Sequence, residues 1–440
     1  MGFQAVRGTT DLLPDEVARW SAVEHTARRL SRLYGYREIR TPIIEEAGLF
    51  LRSVGETTDI IQKEMFRFED RGGHDLVLRP EATASVVRAY LEHHLHKTEG
   101  FAKLFYLGPM FRAERPQAGR FRQFHQFGVE AIGSGSAWVD VEAILLCAQI
   151  LRACGLPAAL PSQPTGAAQA GVAGATVWLA SMGCRADQKR SAEALRKRLS
   201  PHRAKLCKEC QARFDKNVFR VLDCKNPSCR AIAWETPGSP FLLCDACAAH
   251  FDEVRRGVRE AGVAFDDTKV FARGLDYYTR TVFEVRVQGL GAQDAVAAGG
   301  RYDHLVEELG GPPLGAVGFA AGIERLLMAL KQGAAEAPSP ARRGVYLAVA
   351  QAALLGDGFR LVHRLRERGV AALMDYDGKS LKAQLREADK LGCRLVAILG
   401  EAERTQGAMT LKDLEQGSQQ TVALDAFVEE AAKQAKATCH

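Results

Sequence analysis

Nothing in this 440-residue chain approaches eighteen consecutive uncharged apolar residues, and its opening stretch, MGFQAVRGTTDLLPDE, lacks the apolar core of a secretion signal. Membrane spanning and export are therefore disfavoured, and a cytoplasmic protein is expected. No internal repeat occurs, which removes solenoid and propeller architectures. Neither a Walker phosphate loop nor a G-x-G-x-x-G fingerprint is present, so a bound nucleotide must have its phosphates held in some other way. With 47% hydrophobic and 25% charged residues, the chain is an ordinary globular one, long enough for two or three domains.

Cysteine is plentiful by contrast. There are eleven, and six lie between Cys207 and Cys247. In a reducing compartment these are thiols or metal ligands rather than disulfides. Cys207 and Cys210 form one C-x-x-C, Cys244 and Cys247 another, and Cys224 and Cys229 lie between. Two such knuckles have zinc-ribbon spacing, since tetrahedral zinc takes four thiolates from two tight turns. Cys207, Cys210, Cys244 and Cys247 are the expected ligands of a structural Zn2+, with Cys224 and Cys229 as substitutes. Six thiols exceed the needs of one site, so either two are free or the spacing is a remnant.

Positive charge is also local. Between Ser181 and Arg230 fourteen Lys or Arg face five Asp or Glu, an excess of nine in a chain whose net charge is +6. That concentration is either a footprint for a polyanion, nucleic acid first, or a solvated basic helix.

Apolar positions from Val17 to Tyr34 recur at helical spacing, with Pro14 suited to the first turn. Short extended pieces in RTPIIEE and LVLRPEATASVVRAYL precede a helix, and AKLFYLGPMFRAE and RFRQFHQFGVEAIG read as two longer strands. The pattern is antiparallel α+β. Composition shifts at Gly155, turns basic and cysteine-rich, and returns to strand patterning at Lys269, so 156–265 reads as an inserted domain within a larger domain spanning 1–332. GAAEAPSPARR, 333–343, reads as a linker. Beyond it, apolar runs at Val345–Val349, Ala371–Met374 and Leu395–Leu399 alternate with helices, which predicts a compact α/β domain over 344–440.

The most informative stretch is FRAERPQAGRFRQFHQFGVE, 111–130. Strand alternation puts Arg112 and Glu114 on one face of the first arm, and Phe124, Gln126, Gly128 and Glu130 on one face of the second. A buried face should be aliphatic, and a solvated one has little use for Phe beside Gln and Glu. This face suits a polar ligand carrying a flat ring. Guanidinium groups bind phosphate oxygens bidentately, so Arg112 and Arg120 can replace a glycine-rich phosphate loop. The other reading is a surface hairpin whose charges pair with one another.

The same stretch resembles motif 2 of the class II aminoacyl-tRNA synthetases, in the form taken by the histidyl-tRNA synthetase family. ARGLDYYTRTVFE, 272–284, is similar to that family's histidine-specific signature, and GAVGFAAGIERLL, 315–327, to class II motif 3. LRPEATASVVRA, GGRYDHL, SLKAQLREADKLGCRLVAILGEAE and LKDLEQGSQQTV also look like the family. The resemblance covers nearly the whole chain except 155–265.

It implies a class II catalytic domain with an antiparallel sheet flanked by helices, the cysteine-rich insertion, and an anticodon-binding C-terminal domain. The implied reaction is ligation of L-histidine to histidine tRNA, with ATP and Mg2+ as substrate and a histidyl-adenylate intermediate. By position, Arg112 corresponds to the arginine on the α-phosphate, Glu114 to the adenine contact, Arg120 to the distal phosphates, Phe124 to the ring under the base, and Arg325 to the motif 3 arginine on ATP. Gln126 and Glu130 match the positions that orient the histidine carboxylate or α-phosphate and hold the α-amino group. Neutral imidazole carries one N–H and one lone pair, so its selection needs complementary groups. Glu81 and Tyr278 match the family's positions for this, with Thr83, Tyr277 and Tyr302 lining the pocket. Arg273 matches the signature arginine that stabilises charge at the α-phosphate. Ala82 departs from the family pattern, where glycine is frequent. The resemblance further implies a homodimer through the region around Arg40, Thr41 and Pro42. A regulatory subunit of ATP phosphoribosyltransferase and an RNA-binding protein on a retired scaffold are the competing readings; intact Arg112, Arg273 and Arg325 argue against both.

Overall fold

The computed structural model of the chain describes residues 2–55, 58–117, 119–156, 175–222, 224, 226–233, 240–268, 271, 275–287, 290, 294–333 and 342–436. The chain divides into two compact units, Met1–Ala334 and Ala335–His440. Most of the expected linker, 334–341, lies outside the described residues.

The first unit contains eleven described strands: β1 Arg37–Glu38, β2 Ile44–Glu46, β3 Phe66–Glu69, β4 Asp75–Leu78, β5 Ala102–Phe111, β6 Gln123–Ile132, β7 Ala175–Ser181, β8 Phe265–Asp266, β9 Thr279–Val287, β10 Ala295–Arg301 and β11 Ala316–Gly322. Eight form one sheet in the order β1-β5-β6-β11-β10-β9-β7-β8, and β2, β4 and β3 form a small separate sheet. The sheet is mixed, not antiparallel throughout as expected. Its six inner strands are antiparallel, but β1 runs parallel to β5 and β8 parallel to β7. Both edge strands have two residues, too few to show an alternation in sequence, and such short edges blunt the sheet against further pairing.

One face of this sheet is covered by helices Pro14–Leu33 and Ala137–Ala153. The first begins with Pro14 at its N-terminal turn, followed by Asp15 and Glu16, which suit the positive end of the helix dipole. Its Trp20, Val23, Ala27 and Leu30 are buried against Val129, Phe319 and Ile144. The opposite face carries a second cluster in which tyrosines replace aliphatics: Tyr106, Tyr277, Tyr278 and Tyr302 beside Val86, Met110 and Val282.

The interval 156–265 does not stand apart as one block. Strand β7 lies inside it yet pairs with β9 in the large sheet, and helix Asp245–Glu260 buries Val254 and Val258 in the main core. A separate core is confined to Leu195, Leu199, Leu206, Phe214, Val218, Val221 and Leu222, packed around Cys210, Cys224 and Cys229. The described parts at both ends of this interval belong to the main sheet and its core. Residues 157–174, which supplied the Ala, Pro and Gly signal, lie outside the described residues.

The second unit is a five-stranded sheet ordered β13-β12-β14-β15-β16, with β12 Val345–Val349, β13 Ala372–Met374, β14 Leu395–Leu399, β15 Ala408–Asp413 and β16 Gln419–Ala423. β12 is parallel to β13 and β14, and the last three strands are antiparallel. Alternation along β12 sends Val345, Leu347 and Val349 towards helices Leu355–Glu367 and Phe427–Lys436, and Tyr346 and Ala348 towards helix Leu381–Lys390.

Candidate active site and thiol clusters

Strands β5 and β6 form a hairpin in which Met110 faces Phe124, Gly108 faces Gln126, Tyr106 faces Gly128 and Leu104 faces Glu130. The face expected from alternation exists. Phe124 and Gln126 are half-buried and Glu130 fully buried. Gln126 Oε1 is buried without a hydrogen-bond partner among the described residues, an acceptor placed where a ligand donor would satisfy it.

Glu130 anchors the deepest part. Thr83 Oγ1 donates to its Oε1 at 2.7 Å and the Tyr302 hydroxyl donates to its Oε2. Burial outweighs these two bonds and pushes its carboxyl up to about 8, assisted by the neighbouring Glu81 charge. Room for Glu130 comes from Gly318 across the β6–β11 pairing, where a Cβ would lie 2.0 Å from Glu130 Oε2. Glu81 is also buried. It accepts the Thr83 and Ala84 amides at 2.6 and 2.9 Å and so caps helix Thr83–Glu92; burial raises its carboxyl and these amides partly offset the rise.

Tyr277 lies against Tyr278 and Tyr302, with ring centroids 4.8 and 5.7 Å apart, and all three are buried. The structure thus brings Glu81, Thr83, Glu130, Tyr277, Tyr278 and Tyr302 together into one buried cluster. Tyr106 belongs with them. It is buried, interacts with Thr83, and its hydroxyl occupies the space left by Gly128, where a Cβ would approach it to 2.4 Å. Sequence reasoning missed Tyr106 because AKLFYLGPM reads as a plain strand; its place on the face shared by Gly108 and Met110 was the available signal.

Near Glu81 lies a cluster of guanidinium groups. Arg112 donates from Nε to the Pro80 carbonyl at 3.0 Å, next to Glu81, and its guanidinium lies 5.2 Å from the Phe124 ring centre. Arg120 pairs with Glu114 at 2.7 Å, which follows the charge-compensated reading of the hairpin. Arg325, three residues into helix Ile323–Gly333, donates to the Gly119 and Ala295 carbonyls at 3.1 and 3.0 Å. Burial lowers its pKa, and Arg120 and Arg112 lower it further, which is what three like charges facing a common space produce. Glu64 and Glu284 were not singled out in sequence. Glu64 is half-buried near Arg112 and Arg120, with its carboxyl raised first by burial and then by Glu114, while buried Glu284 on β9 helps offset the like-charge effect on Arg325. Arg273 lies outside the described residues.

The six clustered cysteines separate into two groups, which overturns the expected pairing of Cys207 and Cys210 with Cys244 and Cys247. Cys207, Cys210, Cys224 and Cys229 form one group whose sulfurs lie within 4.8 Å of one another. The second contains Cys184, Asp187, Cys244 and Cys247. The reason is packing. The first knuckle and the middle pair share the small insertion core, whereas Cys244 and Cys247 open helix Asp245–Glu260, which belongs to the main core. In the first group the Cys207 amide donates to Cys229 Sγ at 3.2 Å and the Asn226 amide to Cys224 Sγ at 3.4 Å. The Cys210 amide directed at Cys207 holds that thiol below its ordinary value.

A mixed sheet with an antiparallel centre, a guanidinium cluster at its motif 2 and motif 3 positions and a buried acidic cluster near them defines a class II aminoacyl-tRNA synthetase fold. The family model for histidyl-tRNA synthetase matches residues 8–161 and 242–326, and that for the anticodon binding domain matches 345–434. Histidine–tRNA ligase of Halothermothrix orenii is 43% identical over 98% of this chain and 100% of its own length. That of Desulfitobacterium hafniense is 45% identical over 98% of this chain and 97% of its own. The crystal structure of apo S. aureus histidyl-tRNA synthetase superposes with a TM-score of 0.78 at 32% identity, covering 98% of this chain and all of that one. The chain belongs to the histidyl-tRNA synthetase family.

Proposed function

We propose that this chain is a histidine–tRNA ligase. The histidine carboxylate attacks the α-phosphorus of ATP, a carboxyl O–P bond forms as the bridging P–O bond breaks, and pyrophosphate leaves with its Mg2+. A ribose hydroxyl at the 3′ end of histidine tRNA then attacks the histidyl carbonyl and releases AMP. The observation that carries this reading is the buried cluster of Glu81, Thr83, Glu130, Tyr278 and Tyr302, with Arg112 bonded to the Pro80 carbonyl next to Glu81.

Glu130 holds the α-ammonium. Glu81 and Tyr278 select imidazole, because a site that bonds both ring nitrogens leaves its own polar groups unpaired with any analogue. Tyr277 and Thr83 close the wall, and Gln126 orients the carboxylate end by donating from its Nε2 amide. Arg112 neutralises the α-phosphate and Phe124 carries the adenine. Arg120 exchanges Glu114 for the distal phosphates, which frees Glu114 for the base. Arg325 completes the ATP contacts, and Arg273 stabilises the charge that develops at the α-phosphate.

The catalytic domain spans 1–332, the insertion lies within 156–265, and the C-terminal α/β unit reads the anticodon. The basic insertion clamps tRNA by phosphate contacts, and Cys207, Cys210, Cys224 and Cys229 hold its structural Zn2+, supported by the amides that already donate to their sulfurs. The enzyme works in the cytoplasm as a homodimer. The exposed Ile43, Ile44 and Phe68 near the small β2-β4-β3 sheet supply an apolar surface for the second copy.

Pyrophosphate exchange into ATP, run with each of the twenty amino acids singly and without tRNA, tests the reading. Exchange with histidine alone is expected, and Arg273→Ala is expected to slow it by orders of magnitude without unfolding the chain. Exchange with no amino acid moves the function to the regulatory or RNA-binding alternatives.

A further inference from the structure

The cysteine group that sequence spacing did not reveal has its own geometry. Cys184 is the N-cap of helix Arg185–Leu199 and Asp187 lies three positions on; Cys244 is the N-cap of helix Asp245–Glu260 and Cys247 lies three positions on. Two helix starts of the form C-x-x-D and C-x-x-C therefore meet tip to tip. The Cys184 amide donates to Asp187 Oδ2 at 3.3 Å and the Cys244 amide to Asp187 Oδ1 at 3.1 Å, while Cys184 Sγ accepts from the Asp187 amide. Three sulfurs and one carboxylate oxygen lie within 4.8 Å of one another. A tetrahedral zinc with Zn–S near 2.3 Å and Zn–O near 2.1 Å requires ligand separations of roughly 3.5–3.8 Å, so a contraction of about 1 Å completes the shell.

We propose that Cys184, Asp187, Cys244 and Cys247 form a second zinc site, separate from the Cys207, Cys210, Cys224 and Cys229 group. Its donors are borderline-soft, which suits Zn2+ over Mg2+ or Ca2+. Binding takes up one Zn2+ and releases three thiol protons, with no change of oxidation state. Arg190, 2.6 Å from Asp187 Oδ1, offsets negative charge at the site.

The position gives the metal a task. It joins the two ends of the segment that carries the small insertion core, 57 residues apart at the Asp187–Cys244 contact. It also fixes the first turn of the helix whose Gln188 donates to the Tyr278 carbonyl at 2.9 Å, behind the tyrosine cluster. That helix supplies Arg185, Lys189 and Arg196 to a basic cleft also lined by Lys216 and Arg220. The metal thus sets the register between the insertion and the sheet.

Elemental analysis of the full chain, purified with zinc and freed of loose metal by gel filtration, tests this. Two zinc ions per chain are expected, falling to one in Cys244→Ser/Cys247→Ser and to a different one in Cys207→Ser/Cys210→Ser. One zinc in the native chain, or two in the Cys244→Ser/Cys247→Ser variant, overturns the proposal. Asp187→Ala keeps every thiol and guards against a variant that fails to fold. It is expected to weaken one of the two zincs by about tenfold or more against a chelator while leaving the other unchanged. Equal affinity of both zincs for native and Asp187→Ala chains removes Asp187, and with it the four-ligand site.

Discussion

A carboxylate taken out of water loses its hydration, and among the described residues Glu130 recovers the hydroxyls of Thr83 and Tyr302 in exchange. With its folded value near 8, against a solvent value near 4.5, the folded chain holds a proton that the unfolded chain releases across that window. This contribution to stability is complete below the solvent value and declines as pH rises towards 8. Thermal melts of the ligand-free chain from about pH 5 to 9 should show this decline, and Glu130→Gln should flatten it. On the proposal that its ammonium pairs with Glu130, saturating histidine is expected to stabilise the native chain more at pH 8 than at pH 6 and to lose that pH dependence in Glu130→Gln. Parallel curves for the two proteins would contradict the assignment. Arg301 presents the opposite case, a buried charge fully compensated. It contacts Asp140 at 2.8 Å, Asp303 at 2.9 Å and the Ser134 and Ser136 carbonyls, while Asp140 also bonds His250 and Thr281. Arg301→Met removes one partner from an acid with no exposure and is expected to cost about 3–5 kcal/mol in urea unfolding; a loss below about 1 kcal/mol would show the network to be dispensable.

At the scale of the element, the site depends on strands passing close to one another. Gly318 on β11 leaves the space that Glu130 fills, and an added Cβ would also lie 2.3 Å from the Val129 carbonyl. Backbone cannot yield as a flexible side chain can. Gly318→Ala is expected to cost about 1–3 kcal/mol and to abolish histidine-dependent exchange by displacing Glu130, whereas exchange within twofold of native would show that β6 and β11 separate easily. The hairpin face itself was legible because period-two alternation puts Phe124, Gln126 and Glu130 together without reference to any other strand. Which glycine in GAVGFAAG faces the acid was not, since that depends on a register between distant strands. The two C-x-x-C knuckles are alike in sequence, and only the separate cores into which their helices pack decide their partners. Cys184 and Asp187 precede Cys244 by almost sixty residues, beyond the reach of any spacing rule for a local metal motif. Edge strands of two residues carry no pattern at all, which is why the parallel ends of the sheet were missed.

At the scale of the whole chain, the second unit has its own cores on both faces of its sheet. The fragment 342–440 is expected to melt cooperatively by circular dichroism when expressed alone, and a broad, featureless transition would show that it needs the rest of the chain. The alternation of Val345–Val349, Ala372–Met374 and Leu395–Leu399 with helices made this unit readable, because each element's neighbours follow closely in sequence. The first unit is built differently. In it β6 pairs with β11, Gly128 against Ala320. During synthesis at 5–20 residues per second, the inner edge of β6 therefore waits roughly 10–40 s for its partner, while the whole insertion is made. The β5–β6 hairpin is thus an open template for pairing throughout that interval, and the nascent chain needs shielding there.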